Sequence, residues 1–399
     1  MLVSHCCPIC ENPQMVMTVK REKLPTMQNY VFNQKSKAKN IPCGKFTLAV
    51  CPICGFACNI DFDPDLLRYD EGYDNSVSSN VMVHYYEEIA AYLHQKYAAN
   101  GGLVIDIGCG KGTFLKMVTE MFPDLRGLGI DPSYEPDDMS ENNKRVRFIK
   151  DFFQEQYIPE KPVLVICRHV LEHIHFPLSF LKSIERALKK FPGVPFFLEV
   201  PDLWWIIEHG AFWDFCYEHC NYFVPDSIAC TLEIAGFSTE MVQNAFGGQY
   251  LWCEAKTAPS LKNTVSRKTT PPQFIDALTC YSGSENLQIL ETRRKIQNLK
   301  NDGYTIAVWG MATKGVVFSY LIDPNNDLLD FCVDINKTKQ GCYVPVTGHR
   351  IESPEVLCKV SPTSLVVIVM NPAYLFEIKE NCFNLDLKAV FVDAQGEIL

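Results

Sequence analysis

The 399-residue chain has no apolar run that approaches the roughly 20 residues needed to span a bilayer. The longest run, near Leu365–Met370, has the length of a strand. Positive charge is also scarce, and the net charge of −10 argues against a protein that tracks a nucleic-acid backbone with a basic face. The start, Met1–Cys7, lacks the basic and then apolar pattern of a signal peptide. We therefore expect a cytoplasmic protein with neither a membrane nor a nucleic acid as partner, although a local basic pocket for a phosphorylated small molecule is compatible with the charge.

Low-complexity segments and short repeats are absent, whereas cysteine is abundant, with 18 residues. Many cysteines stand singly in apolar runs, as Cys167 does, so we expect reduced thiols. Two C-x-x-C pairs, Cys7-Pro-Ile-Cys10 and Cys51-Pro-Ile-Cys54, are separated by 40 residues, and four thiolates in two turns suit a tetrahedral structural Zn²⁺ site. Free thiols or a redox pair are the alternatives, but a redox pair is expected once and before a helix. We predict that Cys7, Cys10, Cys51 and Cys54 bind zinc.

The organisation of the chain follows from its apolar periodicity. Residues 80–97 have helical spacing, and strands then alternate with helices, as in a mainly parallel sheet. The predicted strands are 103–107, 126–130, 146–149, 163–167, 194–200 and 249–255. A second strand, turn and helix begin at Thr305, after a Ser-, Thr- and Pro-rich linker and a charged helix at 284–301. We expect an α/β protein with a doubly wound sheet and four parts: a zinc-binding module at 1–75, an α/β domain at 76–256, a linker and helix at 257–303, and a smaller α/β domain at 304–399.

A glycine-dense turn is the most informative local feature of the sequence. The buried strand Leu103–Ile107 leads into it, and a helix at 113–121 follows. Glycine tolerates positive φ and lets a ligand approach the backbone. The next apolar run ends at Asp131, whose carboxylate can accept hydrogen bonds from a ribose diol. Strand, glycine turn, helix, strand and acid together predict a nucleotide-type cofactor site.

The glycine spacing distinguishes two kinds of cofactor. Gly108, Gly110 and Gly112 give G-x-G-x-G, and Thr113 stands where the dinucleotide pattern needs its third glycine. The stretch from Asp106 resembles the first motif of class I S-adenosylmethionine (SAM) methyltransferases, in which the loop passes under the methionine end and the later acid holds the ribose. A tight structural turn in another α/β domain is the alternative. The resemblance implies SAM as cofactor, with these binding residues: Asp106, Gly108, Gly110, Asp131, Asp151 and His169.

A Glu–His pair, Glu218-His219, lies between aromatic residues beyond the last predicted parallel strand. Histidine transfers protons near neutral pH, and an adjacent carboxylate can raise its basicity. The phenols of Tyr69 and Tyr73 can overhang the same cleft, or they are ordinary surface tyrosines. We predict that this segment is catalytic because ligands bind beyond the carboxyl ends of the strands in doubly wound sheets.

The segment Cys167–His173 follows the fourth strand and resembles the H-x-L-E-H motif of many SAM methyltransferases. The i, i+4 spacing of His169 and His173 suits a metal. In this setting we expect them instead to shape the cofactor pocket and cap the next helix.

The order of motifs resembles the three-domain sugar C-methyltransferases that act on nucleotide-linked 4-keto-deoxyhexoses. Their zinc-binding module, SAM domain and E-H-x-x-Y-F motif match the cysteine pairs, the glycine turn and Glu218–Phe223. Their last, Rossmann-like domain typically carries G-A-x-A-K-G and D-x-N-x-x-K-Q-G, which read here as Gly310–Gly315 and Asp334–Gly341. Two departures matter. A tyrosine with a catalytic role in the family is replaced by Cys216, and the Y-x-Y-x-S-S-x-S stretch survives only loosely at 73–79.

The resemblance implies that His219, held by Glu218, removes the proton next to the ketone, and that the resulting enolate attacks the methyl group of SAM. It also implies that Tyr73 covers for the missing phenol, that Tyr222 and Lys314 bind substrate, and that Lys314 contacts the nucleotide diphosphate. The alternatives are an O- or N-methyltransferase of another small molecule and a non-catalytic, zinc-stabilised nucleotide-binding protein. We expect a monomer or at most a weak dimer.

Overall fold

The computed structural model describes residues 2–69, 72–74, 79–136, 144–257, 272–360 and 364–399. Most of the predicted linker, and part of the loose serine-rich stretch after Tyr73, lie outside these residues. None of the helices formed by the described residues is long and apolar enough to cross a membrane.

The described residues form seventeen strands, numbered in chain order. They are β1 Leu2–Val3, β2 Met15–Pro25, β3 Cys43–Val50, β4 Ala57–Asn59, β5 Gly102–Ile107, β6 Leu125–Ile130, β7 Val146–Ile149, β8 Leu164–Arg168, β9 Pro195–Pro201, β10 Asn221–Tyr222, β11 Phe237–Ala245, β12 Tyr250–Thr257, β13 Thr305–Trp309, β14 Phe331–Val333, β15 Ile351–Glu352, β16 Leu365–Val369 and β17 Ala389–Asp393.

The α-helices of the described residues are numbered in the same way. They are α1 Lys35–Lys39, α2 Asn80–Leu93, α3 Thr113–Met121, α4 Pro177–Leu188, α5 Leu203–Glu208, α6 Pro225–Ala235, α7 Pro272–Asn301, α8 Thr313–Ile322 and α9 Leu375–Asn384. Helix α2 continues as a π-helical turn at His94–Ala98, so the helix predicted over 80–97 is confirmed.

The central sheet has seven strands in the order β11-β12-β9-β8-β5-β6-β7. Strand β12 runs antiparallel to both of its neighbours, and the pairs from β9 to β7 are parallel. The chain order reverses between β5 and β8, which is where doubly wound sheets bind ligands beyond their carboxyl ends. This is the class I SAM methyltransferase arrangement that the glycine motif predicted. The antiparallel β11 was missed because its side chains are mostly half-exposed or exposed, without the apolar run that marks a buried strand.

A second parallel sheet forms the C-terminal α/β unit, in the order β15-β14-β13-β16-β17. Helix α8 begins directly beyond the carboxyl end of β13, and α9 follows β16. The strand, turn and helix predicted from Thr305 are confirmed.

The first 60 residues contain more β-structure than their weak periodicity suggested. Strands β1 to β4 form an antiparallel sheet, and β10 from the predicted catalytic segment pairs with β4 at its edge. Asn221 is opposite Cys58, and Tyr222 is opposite Ala57. The N-terminal module therefore extends by backbone pairing into the segment that carries the Glu–His pair.

Helix α7 begins at Pro272, twelve residues before the predicted helix. Its apolar face, with Phe274 and Ile296 buried, shares one hydrophobic cluster with the N-terminal and C-terminal sheets. The buried Arg21 of β2 forms an ion pair of 2.7 Å with Glu285 of α7. Arg21 also donates to the backbone carbonyls of Phe212 and Phe215, at 2.7 and 2.9 Å. Helix α7 is thus a structural element of the core and not only a connection.

Candidate cofactor and catalytic site

A cavity of about 430 Å³ lies between the carboxyl ends of the two parallel sheets. One wall is the glycine turn after β5 with the segments that follow β8 and β9, and the other comes from the C-terminal unit after β13, β14 and β16. Predicted site residues that line it are Tyr73, Asp106, Gly108, Gly110, His169, His219 and Lys314. The topology therefore brings together residues that are more than 240 positions apart in the sequence.

The glycine turn has the backbone conformation that its sequence predicted. Gly108, Gly110 and Gly112 all have positive φ, at 77°, 55° and 78°. A Cβ on Gly108 would lie 2.2 Å from a methyl of Val170, so close packing as well as conformation excludes a side chain there. The N–H of Gly110 donates to Oδ2 of Asp131 over 2.8 Å, which ties the turn to the end of β6.

The carboxylate of Asp131 also accepts hydrogen bonds from the segment that follows it. Its Oδ1 accepts from the N–H and the hydroxyl of Ser133, at 2.7 and 2.6 Å. Asp151 likewise accepts from the N–H of Phe152 and from Gln154, both at 2.7 Å. Among the described residues, those that line the cavity include neither acid. Both acids lie at the carboxyl edge of the sheet, and the exposed ring of Phe152 is beside Asp151.

Asp106 and Arg168 are both buried and both line the cavity. Burial raises the pKa of Asp106 to about 7, against the opposing charge of Arg168. The guanidinium of Arg168 lies over the rings of Tyr86 and Phe114, at 4.3 and 4.5 Å, and its Nε donates to Glu199 over 2.7 Å. Its Nη2 is buried and has no hydrogen-bond partner among the described residues. Arg168 lies in the segment Cys167–His173, in which the sequence predicted roles only for the two histidines.

His169 is held in a strained conformation between two acids. Its φ is +52°, unusual for a residue with a Cβ. Its ring nitrogens lie 3.4 Å from Oε1 of Glu172 and 3.3 Å from Oε2 of Glu199. Although burial lowers the pKa of His169, the charge of Glu199, followed by contacts with Glu172, raises it to about 9. His169 is therefore a cation at neutral pH.

The two histidines at i, i+4 do not form a pair. Leu171–His173 is a short 3-10 turn. A ring nitrogen of His173, a ring nitrogen of His219 and a carboxylate oxygen of Glu172 all lie within 4.8 Å of one another. Nδ1 of His173 lies 2.9 Å from the backbone carbonyl of Glu218 and 3.2 Å from the hydroxyl of Tyr69.

The structure corrects the predicted relationship between Glu218 and His219. The carboxylate of Glu218 is turned to the N-terminal module, where Oε1 accepts from the N–H of Gln28 at 2.5 Å and of Asn29 at 3.1 Å. Adjacent positions in a loop do not place two side chains together, so Glu218 does not hold the imidazole of His219. Burial and the neighbouring His173 lower the pKa of His219 to about 3, against the charge of Glu172. His219 is consequently neutral at physiological pH.

Tyr73 and Cys216 occupy different environments. Tyr73 lines the cavity and contacts Tyr69, with ring centroids 5.2 Å apart. Burial and the charge of Glu218 raise the pKa of Tyr73 well above its usual value, so its hydroxyl stays protonated. Cys216 is fully buried, and burial raises the pKa of its thiol. Of the two, only Tyr73 presents a polar group to the cavity.

Tyr222 was expected to bind substrate, and the structure places it elsewhere. Its side chain is 2% exposed, and its hydroxyl donates to the carbonyl of Cys216 over 3.2 Å and accepts from the N–H of Cys216 over 3.1 Å. The pairing of β10 with β4 turns this ring into the loop core. Tyr222 shapes the loop instead of lining the cavity.

Lys314 lies in the first turn of α8 and joins both parts of the cavity wall. Its Nζ is 3.0 Å from Asp214 and 3.0 Å from Oε1 of Gln249, and it lies 5.2 Å from the centre of the Trp205 ring. The amides of Gln249 and Asn371 exchange two hydrogen bonds of 3.0 Å. Gln249 and Asn371 are 122 positions apart in the sequence, and the fold brings them together.

The four predicted zinc ligands converge. Their sulfurs lie within 4.8 Å of one another, with 3.7 Å between Cys7 and Cys54 and 3.5 Å between Cys10 and Cys51. A tetrahedron with Zn–S bonds of about 2.3 Å has edges of about 3.8 Å, so the donor set fits Zn²⁺. All four side chains are buried, and Phe56, beside this cluster, contacts Phe223 of the catalytic segment at 5.4 Å.

Two family models match consecutive parts of the chain. One, described as a methyltransferase domain, matches residues 82–242, and the other, described as a C-methyltransferase C-terminal domain, matches residues 286–383.

Individual proteins show the same similarity. The C-methyltransferase NovU of Streptomyces niveus is 24% identical over 80% of this chain and 78% of its own length. A ubiquinone biosynthesis O-methyltransferase of Actinobacillus pleuropneumoniae is 34% identical, over 27% of this chain and 49% of its own length. Among solved structures, a 1,6-didemethyltoxoflavin-N1-methyltransferase from Burkholderia thailandensis is 17% identical over 53% of this chain and 95% of its own, with a TM-score of 0.34.

Proposed function

The chain is a SAM-dependent C-methyltransferase, and we propose that it methylates the carbon next to the ketone of a nucleotide-linked 4-keto-deoxyhexose, of the dTDP type. His219 is the general base in this proposal. The observation that carries it is the cavity between the two sheets, which the imidazole of His219, the phenol of Tyr73 and the glycine turn all line.

The glycine turn and the charged groups beneath it suit SAM. Asp106 offers a carboxylate to the ammonium group of the methionine end, and the backbone of Gly108 and Gly110 allows close approach. In this proposal Asp131 and Asp151, at the carboxyl edge of the sheet beside the cavity lining, bind the ribose and the adenine, and the exposed Phe152 offers a stacking surface. His169 forms part of the wall of the cofactor pocket in this proposal. When bound, SAM supplies an electrophilic methyl group.

Proton removal is the first step assigned to the protein. The ketone acidifies the neighbouring C–H, His219 takes the proton, and the electron pair of that bond forms the enolate. The hydroxyl of Tyr73 donates to the enolate oxygen, because its raised pKa keeps it protonated. With SAM bound, the enolate carbon would attack the methyl group in line, so that a C–C bond forms as the S–CH₃ bond breaks and S-adenosylhomocysteine leaves with the electron pair of that bond on sulfur. General-base catalysis and orientation are the main contributions of the chain.

The C-terminal unit holds the nucleotide in this proposal. Lys314 lies at the N-terminal end of the ten-residue helix α8, beside the cavity. Its ammonium group and the helix end both favour the negative diphosphate. Asp214 and Gln249 hold Lys314 in place until the substrate arrives.

Zinc has a structural role in this proposal. Cys7, Cys10, Cys51 and Cys54 hold the ion, which completes the small N-terminal module and, through the pairing of β4 with β10, fixes the catalytic segment.

The direct test is incubation with SAM and dTDP-4-keto-6-deoxyglucose, followed by mass spectrometry and NMR of the sugar. A product methylated on the carbon beside the ketone is expected. A methyl group on oxygen or nitrogen would instead favour the second candidate, an O- or N-methyltransferase. The similarity to the O-methyltransferase of A. pleuropneumoniae is the observation that favours this candidate. Tight SAM binding with no turnover on a panel of keto-sugars would favour a non-catalytic binding protein.

A further inference from the structure

Glu172 is a buried carboxylate whose oxygens are not satisfied. Its side chain is 1% exposed, and neither Oε1 nor Oε2 has a hydrogen-bond partner among the described residues. Burying an ionised carboxylate in this way disfavours folding unless nearby charges compensate. A buried carboxylate without hydrogen bonds in the wall of a cavity indicates a role in binding or catalysis and not in folding.

Three imidazoles surround this carboxylate. His169, the cation between Glu199 and Glu172, lies 3.4 Å from Oε1, and ring nitrogens of His173 and His219 lie within 4.8 Å of the carboxylate. Glu172 stays ionised because these histidines lower its pKa although burial raises it. The positive charge of Lys314, from helix α8, also lowers the pKa of His219.

The carboxylate of Glu218, unlike that of Glu172, accepts hydrogen bonds from neighbouring groups. Two backbone N–H groups and the amide of Asn29 face its oxygens, all from the N-terminal module. The carboxylate next to His219 in sequence therefore anchors the loop, and the carboxylate next to it in space is Glu172.

We propose that Glu172 is the counter-charge of the active-site histidines, a positioning residue that stabilises His219 after it takes the substrate proton. The inference rests on the proposed role of His219 as base. In the step concerned, the C–H bond breaks, its electron pair forms the enolate, and the proton binds a ring nitrogen of His219. The imidazolium then faces the carboxylate of Glu172, and the proton leaves to solvent after methyl transfer. The rest of the catalytic sequence is unchanged.

Two variants of the full-length protein separate this role from a structural one. Glu172→Gln keeps the size of the side chain and removes the charge that the histidines compensate, so the variant should stay folded but melt at a lower temperature than the wild type. Glu218→Gln, the matched control, keeps an amide oxygen that can accept from the N–H groups of Gln28 and Asn29, and it should also stay folded. In ¹⁵N-histidine NMR spectra of the complex with S-adenosylhomocysteine, Glu172→Gln should lower the pKa of His169, whereas Glu218→Gln should leave it unchanged.

The catalytic readout is exchange of the acidic proton of dTDP-4-keto-6-deoxyglucose in D₂O with S-adenosylhomocysteine bound. Glu172→Gln should slow exchange about 10- to 100-fold with little change in KM, and Glu172→Asp should restore part of it. Wild-type exchange in Glu172→Gln, an unchanged pKa of His169, or a second bound metal ion lost with Glu172 would each overturn the inference. If the wild type exchanges no sugar proton, the proposed function fails, and the NMR result for His169 alone decides whether Glu172 is the counter-charge.

Discussion

The N–H of Gln28 donates to Oε1 of Glu218 over 2.5 Å, although the two residues are 190 positions apart. This contact joins the N-terminal module to the loop that carries His219, which lines the cavity. Together with the pairing of β4 and β10, it makes the position of His219 depend on the fold of the cysteine-rich module. The N-terminal module therefore helps to position the catalytic loop, and its loss should affect catalysis as well as stability.

Zinc content and folding should change together. We expect about one zinc ion per chain in the purified protein, and Cys51→Ser should lower metal content and soluble yield. Cys6→Ser, which changes an exposed neighbour, is the control and should keep both. Elemental analysis with a thermal melt is the measurement. Metal-free protein of equal stability, or a disulfide between Cys7 and Cys10, would refute the zinc site.

Asp131→Ala should weaken SAM binding by about 1–3 kcal/mol, the cost of losing hydrogen bonds to a charged acceptor. In the structure Asp131 also holds the N–H of Gly110, so part of the loss should come from a looser glycine turn. Titration calorimetry with SAM measures the effect. Unchanged affinity would remove Asp131 from the site, and a preference for NAD would contradict the argument from glycine spacing.

SAM affinity should depend on pH through Asp106. Its pKa, raised to about 7 by burial, leaves the group neutral below pH 7 and charged above it. Because the charged form pairs with the ammonium of SAM, affinity should rise from pH 6 to pH 8 and then level off. The neighbouring charges are Arg168, which opposes the shift, and Asp131, which adds to it. Asp106→Asn should bind SAM more weakly with a flat profile in calorimetry, and a flat profile in the wild type would contradict this role.

The ion pair of Arg21 with Glu285 should be important for stability. Both side chains are 6% exposed, and Arg21→Met would leave a buried carboxylate unpaired, at a cost of about 3–5 kcal/mol. The first transition in a urea denaturation measures this loss. Lys20 is the residue before Arg21 and forms an exposed ion pair with Glu22. Lys20→Met is therefore the control and should not shift the midpoint. Equal midpoints for Arg21→Met and the wild type would show that α7 is held by apolar packing alone.

Strands with continuous apolar runs could be predicted from the sequence to within about two residues, since burial on both faces leaves a clear pattern. The edge strand Phe237–Ala245 could not, because its exposure varies along its length. The converging cysteines and the glycine turn were predictable because their spacing is dictated by local geometry. Contacts of Glu218 and Tyr222 were not, because they depend on strand pairing between β4 and β10, which no local pattern encodes.

The assignment of His219 as the base is most directly tested by exchange of the proton next to the ketone with deuterated solvent. His219→Asn should bind SAM nearly as well as the wild type, while both exchange and methyl transfer fall by about 10²- to 10⁴-fold, the usual loss of a general base. Exchange that persists while methyl transfer stops would move the role of base to another group, with Tyr73 as the first candidate. Both reactions at the wild-type rate would contradict the mechanism.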